Sequence, residues 1–205
     1  MSEERRPLTS RFTRLGKFAK YRRIASIDKM GRRNFAMNAF DGILTMIGVV
    51  MGSYVGGVRE PRIIASTGLA TCMAMGISGF WGAYVTESAE RKRGLQDLEH
   101  AMLRDMGDTE QARASRFAAI VVSVIDGLSP LIAGILVLLP FLFAGVWSAS
   151  GASHVAALAI ALIALFGLGV FLGKVARANV LLAGVRMILA GLVCVALSFL
   201  LNGGG

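Results

Sequence analysis

The sequence predicts an all-α, polytopic membrane protein with five transmembrane helices, and three observations support this fold class. Hydrophobic residues make up 55% of the 205 residues, charged residues make up only 17%, and the mean hydropathy is +0.62. A soluble domain is about 45–50% apolar and about 25% charged. Five segments reach the length of about 20 apolar residues that a transmembrane helix needs. Finally, 11 of the 22 basic residues precede Asn34, and long uncharged stretches follow.

The first element is a basic N-terminal arm, residues 1–34. Leu8, Phe12, Leu15 and Ala19 recur in it at helical spacing among Arg and Lys residues. This pattern predicts an amphipathic helix that lies on the membrane surface. A regulatory or nucleic-acid-binding role of the arm is the less favoured alternative. We therefore expect the protein to have no nucleic-acid partner. The arm lacks the continuous apolar core of a signal peptide.

Five apolar segments follow the arm, and a single polar insertion divides them. The predicted spans are Phe35–Val58, Ile63–Thr86, Phe117–Val146, Val155–Gly173 and Asn179–Leu201. Residues 35–86 therefore hold the first two transmembrane helices, and residues 117–205 hold the last three. Between them, residues 87–116 are expected to form a short, acidic, amphipathic cytoplasmic helix. The second span is able to continue directly into it, because no helix breaker precedes Gly94.

The basic residues predict the orientation of the chain in the membrane. The segments on alternate sides of the spans carry 20 and 2 Lys and Arg residues. Cytoplasmic segments are the ones enriched in basic residues. The N-terminus is therefore predicted to be cytoplasmic and the C-terminus to be outside.

Two aspartates are the acids that lie well inside the apolar spans, Asp41 in the first and Asp126 in the third. A carboxylate in the bilayer is costly unless it is paired, protonated or hydrated, so such residues are candidates for ion or proton pathways. Both are predicted to lie in the cytoplasmic half of the bilayer at a similar depth. The alternative is a structural role, such as pairing with Asn38. Each is followed by glycine, and the 85-residue spacing of the Asp-Gly pairs suggests a parallel repeat of helical hairpins.

Other residues have weaker chemical signals. Met75 lies in the middle of the second span, where a thioether either packs or serves as a soft metal ligand. Gly48, Gly52 and Gly56 form a pattern that lets helices approach closely, within the chain or across a dimer. Pro130 is expected to kink or interrupt the third span.

The polar insertion collects side chains that are able to bind metal. They are Glu87, Glu90, Glu99, His100 and Met102. Together they offer carboxylate, imidazole and thioether groups that could receive a metal ion from the cytosol. The alternative is an ordinary solvated amphipathic helix. His154 is expected on an outer loop without a chemical role.

Several of these motifs resemble those of the vacuolar iron transporter family. Phe40-Asp41-Gly42-Ile43-Leu44-Thr45 resembles the Asp-Gly motif of the family's first span, and Met75-Gly76 resembles the Met-Gly of its second span. Residues 82–91 and 184–192 resemble two further conserved family segments. The resemblance implies a dimeric, proton-coupled exporter of iron(II) and related divalent ions. It assigns the membrane metal site to Asp41 and Met75.

The leading hypothesis is therefore an exporter of iron(II) or manganese(II), not an enzyme, in a prokaryotic inner or plasma membrane. Metal would pass Glu87, Glu90 and Glu99 and be held by Asp41 and Met75. Asp126 would serve as a further ligand or proton carrier. Protons, divalent ions, the lipid bilayer and a second copy are the expected partners, and no permanently bound cofactor is expected. A non-transporting scaffold is the main alternative, and an intramembrane aspartyl protease is a remote one.

Overall fold

A computed structural model describes residues 27–103, 109–143 and 151–202, and these residues form five helices. In chain order they are α1 Ile27–Val55, α2 Pro61–Met102, α3 Glu110–Leu142, α4 Ala152–Ala176 and α5 Val180–Asn202. All five are long and apolar enough to cross a membrane. The prediction of an all-α protein with five membrane-spanning helices is thereby confirmed. The side of the membrane on which each terminus lies stays a prediction.

Local sequence signals account for the ends of several helices. Pro61 occupies the start of α2, where its missing N–H is not needed. The Thr109 hydroxyl accepts a hydrogen bond from the Ala112 N–H at 3.3 Å and caps α3. The Asn179 side-chain oxygen does the same for α5, accepting from the Leu181 N–H at 3.1 Å. Such caps satisfy amide groups that the first helical turn leaves unbonded.

The polar insertion does not form a helix of its own. Helix α2 continues without interruption to Met102, and α3 begins at Glu110. With 42 residues, α2 is about 63 Å long, roughly twice the hydrocarbon thickness of a bilayer. Residues 87–116 therefore comprise the outer part of α2, a connection and the first turns of α3. The sequence leaves open whether the second span continues into this segment, because no residue that stops a helix lies between Thr86 and Gly94, and α2 does continue into it.

Consecutive helices alternate in direction, and α1 lies at the centre, in contact with all four others. Helices α1 and α3 run parallel, since Gly31 packs on Ile125 and Gly42 packs on Pro130. Helix α5 returns along α1, where the Cys194 thiol approaches the Leu44 carbonyl at 3.7 Å. The parallel course of α1 and α3 agrees with the relation expected from their two Asp-Gly pairs.

Glycines set the closest approaches between helices. A Cβ atom at Gly42 would lie 2.6 Å from the carbonyl oxygen of Pro130, and one at Gly127 would lie 2.7 Å from that of Gly76. Such contacts leave no room for any side chain. They hold α3 tightly against α1 on one side and against α2 on the other.

Pro130 does not interrupt α3, which continues as a helix through it. Proline has no N–H, so the carbonyl of Asp126 four residues earlier receives no hydrogen bond from it. Gly79 of α2 packs directly on that carbonyl, and a Cβ there would lie 2.7 Å from its oxygen. The Ser129 hydroxyl donates to the neighbouring Ile125 carbonyl. Of the two expected effects of Pro130, an interruption of the helix is therefore wrong, and a kink stays a prediction.

Most of the basic N-terminal arm lies outside the described residues, so its membrane-surface helix stays a prediction. Its last residues belong to α1, which begins at Ile27, eight residues before the predicted first span. The segment that precedes α4 also lies largely outside the described residues. His154, expected on that loop, instead belongs to the first turn of α4 and is only 2% exposed. Its ring packs against Phe141 and Tyr54, with centroids 5.0 and 5.5 Å away.

Candidate functional site

A polar cluster lies between α1, α2 and α3 at the predicted cytoplasmic end of the bundle. The Asn34 side-chain amide donates a hydrogen bond to Asp126 Oδ2 at 3.1 Å. Asn38, one turn further along α1, approaches the same carboxyl group. The other oxygen, Asp126 Oδ1, is buried and accepts no hydrogen bond from the described residues. Because buried polar atoms are nearly always bonded, this oxygen is an available acceptor for an ion, a proton or a water molecule.

Helix α2 contributes an ion pair to the polar cluster. Arg91 Nε donates to Glu87 Oε2 at 2.9 Å, and a second Arg91 nitrogen lies 3.6 Å from the Met30 sulfur of α1. Glu87 and Asp126 are close enough to repel each other electrostatically, whereas Arg33 attracts Asp126. The cluster consists of Asn34, Asn38, Glu87, Arg91 and Asp126. It therefore joins two carboxyl groups from different helices at one level of the bundle.

Asp41 occupies a different position. It is exposed on the single chain and does not belong to the polar cluster. Asn34, the partner of Asp126, precedes Asp41 by seven residues, about 10 Å along the helix axis. The register of α1 against α3 places Asp126 on the same side of Asp41, since Pro130 packs on Gly42 and Asp126 lies four residues, about 6 Å, before Pro130. Asp126 thus lies about one to two helical turns nearer the predicted cytoplasmic end than Asp41.

One face of α1 around Asp41 is left open by the other four helices. Asp41, Thr45, Gly48 and Gly52 recur at i, i+4, i+7 and i+11, a spacing that places them on one helical face. A Cβ atom added at Gly48 or Gly52 would meet nothing within 4 Å. We call these four residues the open face of α1. Gly48 and Gly52 of the first span therefore serve no close helix–helix contact within the described part of the chain.

Met75 lies at nearly the depth of Asp41 but in different surroundings. The Cys72 thiol of α2 contacts the Met46 sulfur of α1 at 3.7 Å, which aligns the two helices. Counted from that contact, Met75 is about 4.5 Å and Asp41 about 7.5 Å nearer the predicted cytoplasmic end. Met75 is half-buried and packs against the hydrophobic core, whereas Asp41 lies on the open face. Met75 and Asp41 thus lie at a similar depth along the bundle, but Met75 contacts the core and Asp41 does not.

The remaining candidate ligands are spread along the outer part of α2. Glu90, His100 and Met102 are exposed, and Glu99 is half-buried. Among the described residues, no group of three or more His, Cys, Asp or Glu side chains is arranged to hold a metal ion. Metal binding by these residues and by Asp41, Met75 and Asp126 stays a prediction. The part of the cluster that sequence reasoning missed is Asn34, which has no recognisable signal because its partner is 92 residues away.

Comparison with known proteins shows a similarity that extends over most of the chain. No protein-family model matches the chain. The chain is similar to the uncharacterized protein MJ0645 of Methanocaldococcus jannaschii, with 29% identity over 175 residues. The matched region covers 84% of this chain and 88% of that protein. The similarity therefore extends over most of both chains.

Proposed function

We propose that this protein is a membrane transporter that exports a divalent transition metal ion, iron(II) or manganese(II), in exchange for protons. The observation that carries the proposal is the pair of carboxylates set within membrane-spanning helices at successive levels. Asp126 has an available buried oxygen, and Asp41 lies about one to two turns further along on the open face of α1. Carboxylates at such positions are costly and typical of ion and proton pathways.

The two levels suggest an order of events for the transported ion. Metal enters from the cytosol beside Glu87 and Asp126, where the side-chain amides of Asn34 and Asn38 lie next to the Asp126 carboxyl group. Oxygen ligands suit manganese(II) and, with a thioether nearby, iron(II). The ion then moves to Asp41 and Met75. A proton that takes its place on a carboxylate restores the neutral form and allows exchange.

Flux in proteoliposomes tests this function directly. Purified protein is reconstituted with a metal-sensitive dye inside, and iron(II), manganese(II), cobalt(II) or zinc(II) is added outside with and without a pH gradient. We expect saturable uptake of iron(II) or manganese(II) that depends on the gradient, compared with protein-free vesicles. Folded protein that moves none of these ions would contradict the proposal and favour a scaffold.

A second copy of the chain is proposed to cover the open face of α1. An exposed carboxylate in a spanning helix would otherwise face lipid, and the adjoining glycines allow a second helix to approach closely. Two copies of Asp41 would then lie on either side of a shared path. The open face of α1 would thus form both the dimer interface and a wall of the transport pathway.

Disulfide trapping tests the dimer independently of transport. In a Cys72→Ala/Cys194→Ala background, Gly48→Cys is expected to give a covalent dimer on mild oxidation in membranes. Ile163→Cys on α4 serves as the control because Ile163 is 70% exposed and far from the open face in sequence. Equal cross-linking at the two positions, or none at Gly48→Cys, would rule out this interface.

A further inference from the structure

Arg91 lies at the predicted cytosolic entrance of the polar cluster. It follows Glu87 by four residues on α2, and Met30, which it contacts, precedes Asn34 by four residues on α1. Four residues correspond to about 6 Å along a helix. Because α1 and α2 run in opposite directions, both steps lead toward the predicted cytosolic end. Arg91 and Met30 therefore form a layer between the cytosol and the carboxyl groups of the cluster.

The contacts of Arg91 connect α2 to α1. Its Nε atom donates to Glu87 Oε2 at 2.9 Å, and a second nitrogen lies 3.6 Å from the Met30 sulfur. The side chains of Arg91 and Glu87 are only 16% and 14% exposed, so the ion pair is largely shielded from water. The guanidinium group therefore lies across the approach from the cytosol to Glu87 and Asp126.

The two carboxyl groups of the cluster lean toward each other. Side chains tilt toward the N-terminus of their helix, which is the predicted outer end for α2 and the predicted cytosolic end for α3. Glu87 and Asp126 are thereby close enough to repel each other, and Asp126 Oδ1 accepts no hydrogen bond from the described residues. Arg91 binds Glu87 and Arg33 attracts Asp126, which offsets the repulsion. The guanidinium of Arg91 thus supplies positive charge beside the place where a metal ion would join the two carboxylates.

We propose that Arg91 is a tethered counter-ion that closes the polar cluster when no metal is bound and that a divalent ion displaces from Glu87. The inference rests on the proposed transport function and names the residue that controls entry to its first level. A monovalent ion carries no more charge than the guanidinium, which its own chain holds in place, so such an ion gains little by replacing it. A dication interacts twice as strongly with the same carboxylates. The ion pair therefore selects divalent over monovalent ions.

The displaced side chain is able to turn toward the cytosol without a change in the backbone. Arg91 lies beyond Thr86, the predicted end of the second span, on the part of α2 that continues to Met102. An arginine side chain has a long flexible stem, and its charged end readily reaches water near a membrane surface. Once the guanidinium has left, Glu87 and Asp126 are free to bind the ion together.

Chemical modification of the wild-type protein reports this movement. Phenylglyoxal reacts with guanidinium groups that are accessible to solvent, and mass spectrometry of peptides gives the rate at each arginine. In detergent-solubilised protein, manganese(II) is expected to raise the rate at Arg91 several-fold, because the group loses its bond to Glu87 and turns toward water. Arg93 is already exposed on the same turn of α2 and serves as the internal control, so its rate should not change.

Equilibrium binding of manganese(II), followed through the electron paramagnetic resonance signal of the free ion, tests the competition. Arg91→Gln is expected to lower the Kd about tenfold, because a charge a few ångströms from the ion no longer opposes binding. Arg91→Lys keeps the charge, and Arg93→Gln removes a charge outside the cluster, so both should stay near the wild-type Kd. Sodium chloride, compared with choline chloride at the same ionic strength, should compete with manganese(II) in Arg91→Gln and not in the wild type.

Three results would overturn the inference and leave the transport proposal standing. An unchanged modification rate at Arg91 in saturating manganese(II) would show that the guanidinium stays in place. An equal or higher Kd in Arg91→Gln would show that Arg91 does not oppose metal binding. Equal effects of Arg91→Gln and Arg93→Gln would assign the gain to net charge. A wild-type protein that neither binds manganese(II) nor moves any of the tested metals would instead overturn both proposals.

Discussion

Asp41→Asn is expected to abolish metal flux while the protein remains folded. Asparagine has the shape of aspartate but neither carries the negative charge nor exchanges a proton at neutral pH. Loss of a residue that merely supports a metal ligand typically costs 10–100-fold, so removal of the ligand itself should reduce flux about a hundredfold or more. The Thr45 hydroxyl bonds the backbone carbonyl of Asp41 at 2.8 Å, and this contact survives the substitution.

Glu60→Gln is the matched control for this variant. Glu60 precedes α2 at the opposite end of the bundle, is exposed, and makes no side-chain capping bond. The metal flux of the Glu60→Gln variant should equal that of the wild type. Asp126→Asn provides a third comparison, because Asn34 can still donate to the side-chain oxygen that asparagine retains. Normal flux in Asp41→Asn together with loss in Asp126→Asn would move the transport site to the polar cluster.

Gly42→Val is expected to destabilise the bundle more than any surface substitution. Its Cβ would lie 2.6 Å from the carbonyl oxygen and 2.7 Å from the Cα of Pro130, and backbone atoms cannot rotate away. Helices α1 and α3 would have to separate along their whole contact. Overpacking of this kind typically costs about 1–3 kcal/mol, which corresponds to a decrease in Tm of about 2–12 °C for a protein of this size.

Gly167→Val provides the control, because a Cβ at Gly167 meets nothing within 4 Å and the residue is exposed on α4. Samples heated in detergent and then separated by size-exclusion chromatography give the fraction that remains folded at each temperature. Gly167→Val should follow the wild-type curve. Equal curves for all three proteins would mean that α1 and α3 do not approach as closely as Gly42 and Pro130 indicate.

The helices show what the hydropathy of a sequence predicts and what it leaves open. The five spanning helices are readable because a spanning helix must satisfy its backbone hydrogen bonds within itself and present apolar side chains. The predicted bound of the second span at Thr86 marks the expected membrane surface and not the end of α2, which continues to Met102. Hydropathy reports the surroundings of a helix, whereas helix length depends on local propensity and termination signals.

The sequence alone determined the helix count, the two intramembrane carboxylates and the charge asymmetry that predicts orientation, because each depends on composition along a continuous segment. Tertiary structure decided which residues meet. It paired Asp126 with Asn34, left the face of Asp41 open and buried His154. These outcomes depend on the register between helices, which glycine contacts such as Gly42 with Pro130 establish. Register depends on side-chain volumes on two separate helices at once, so no single segment of sequence contains it.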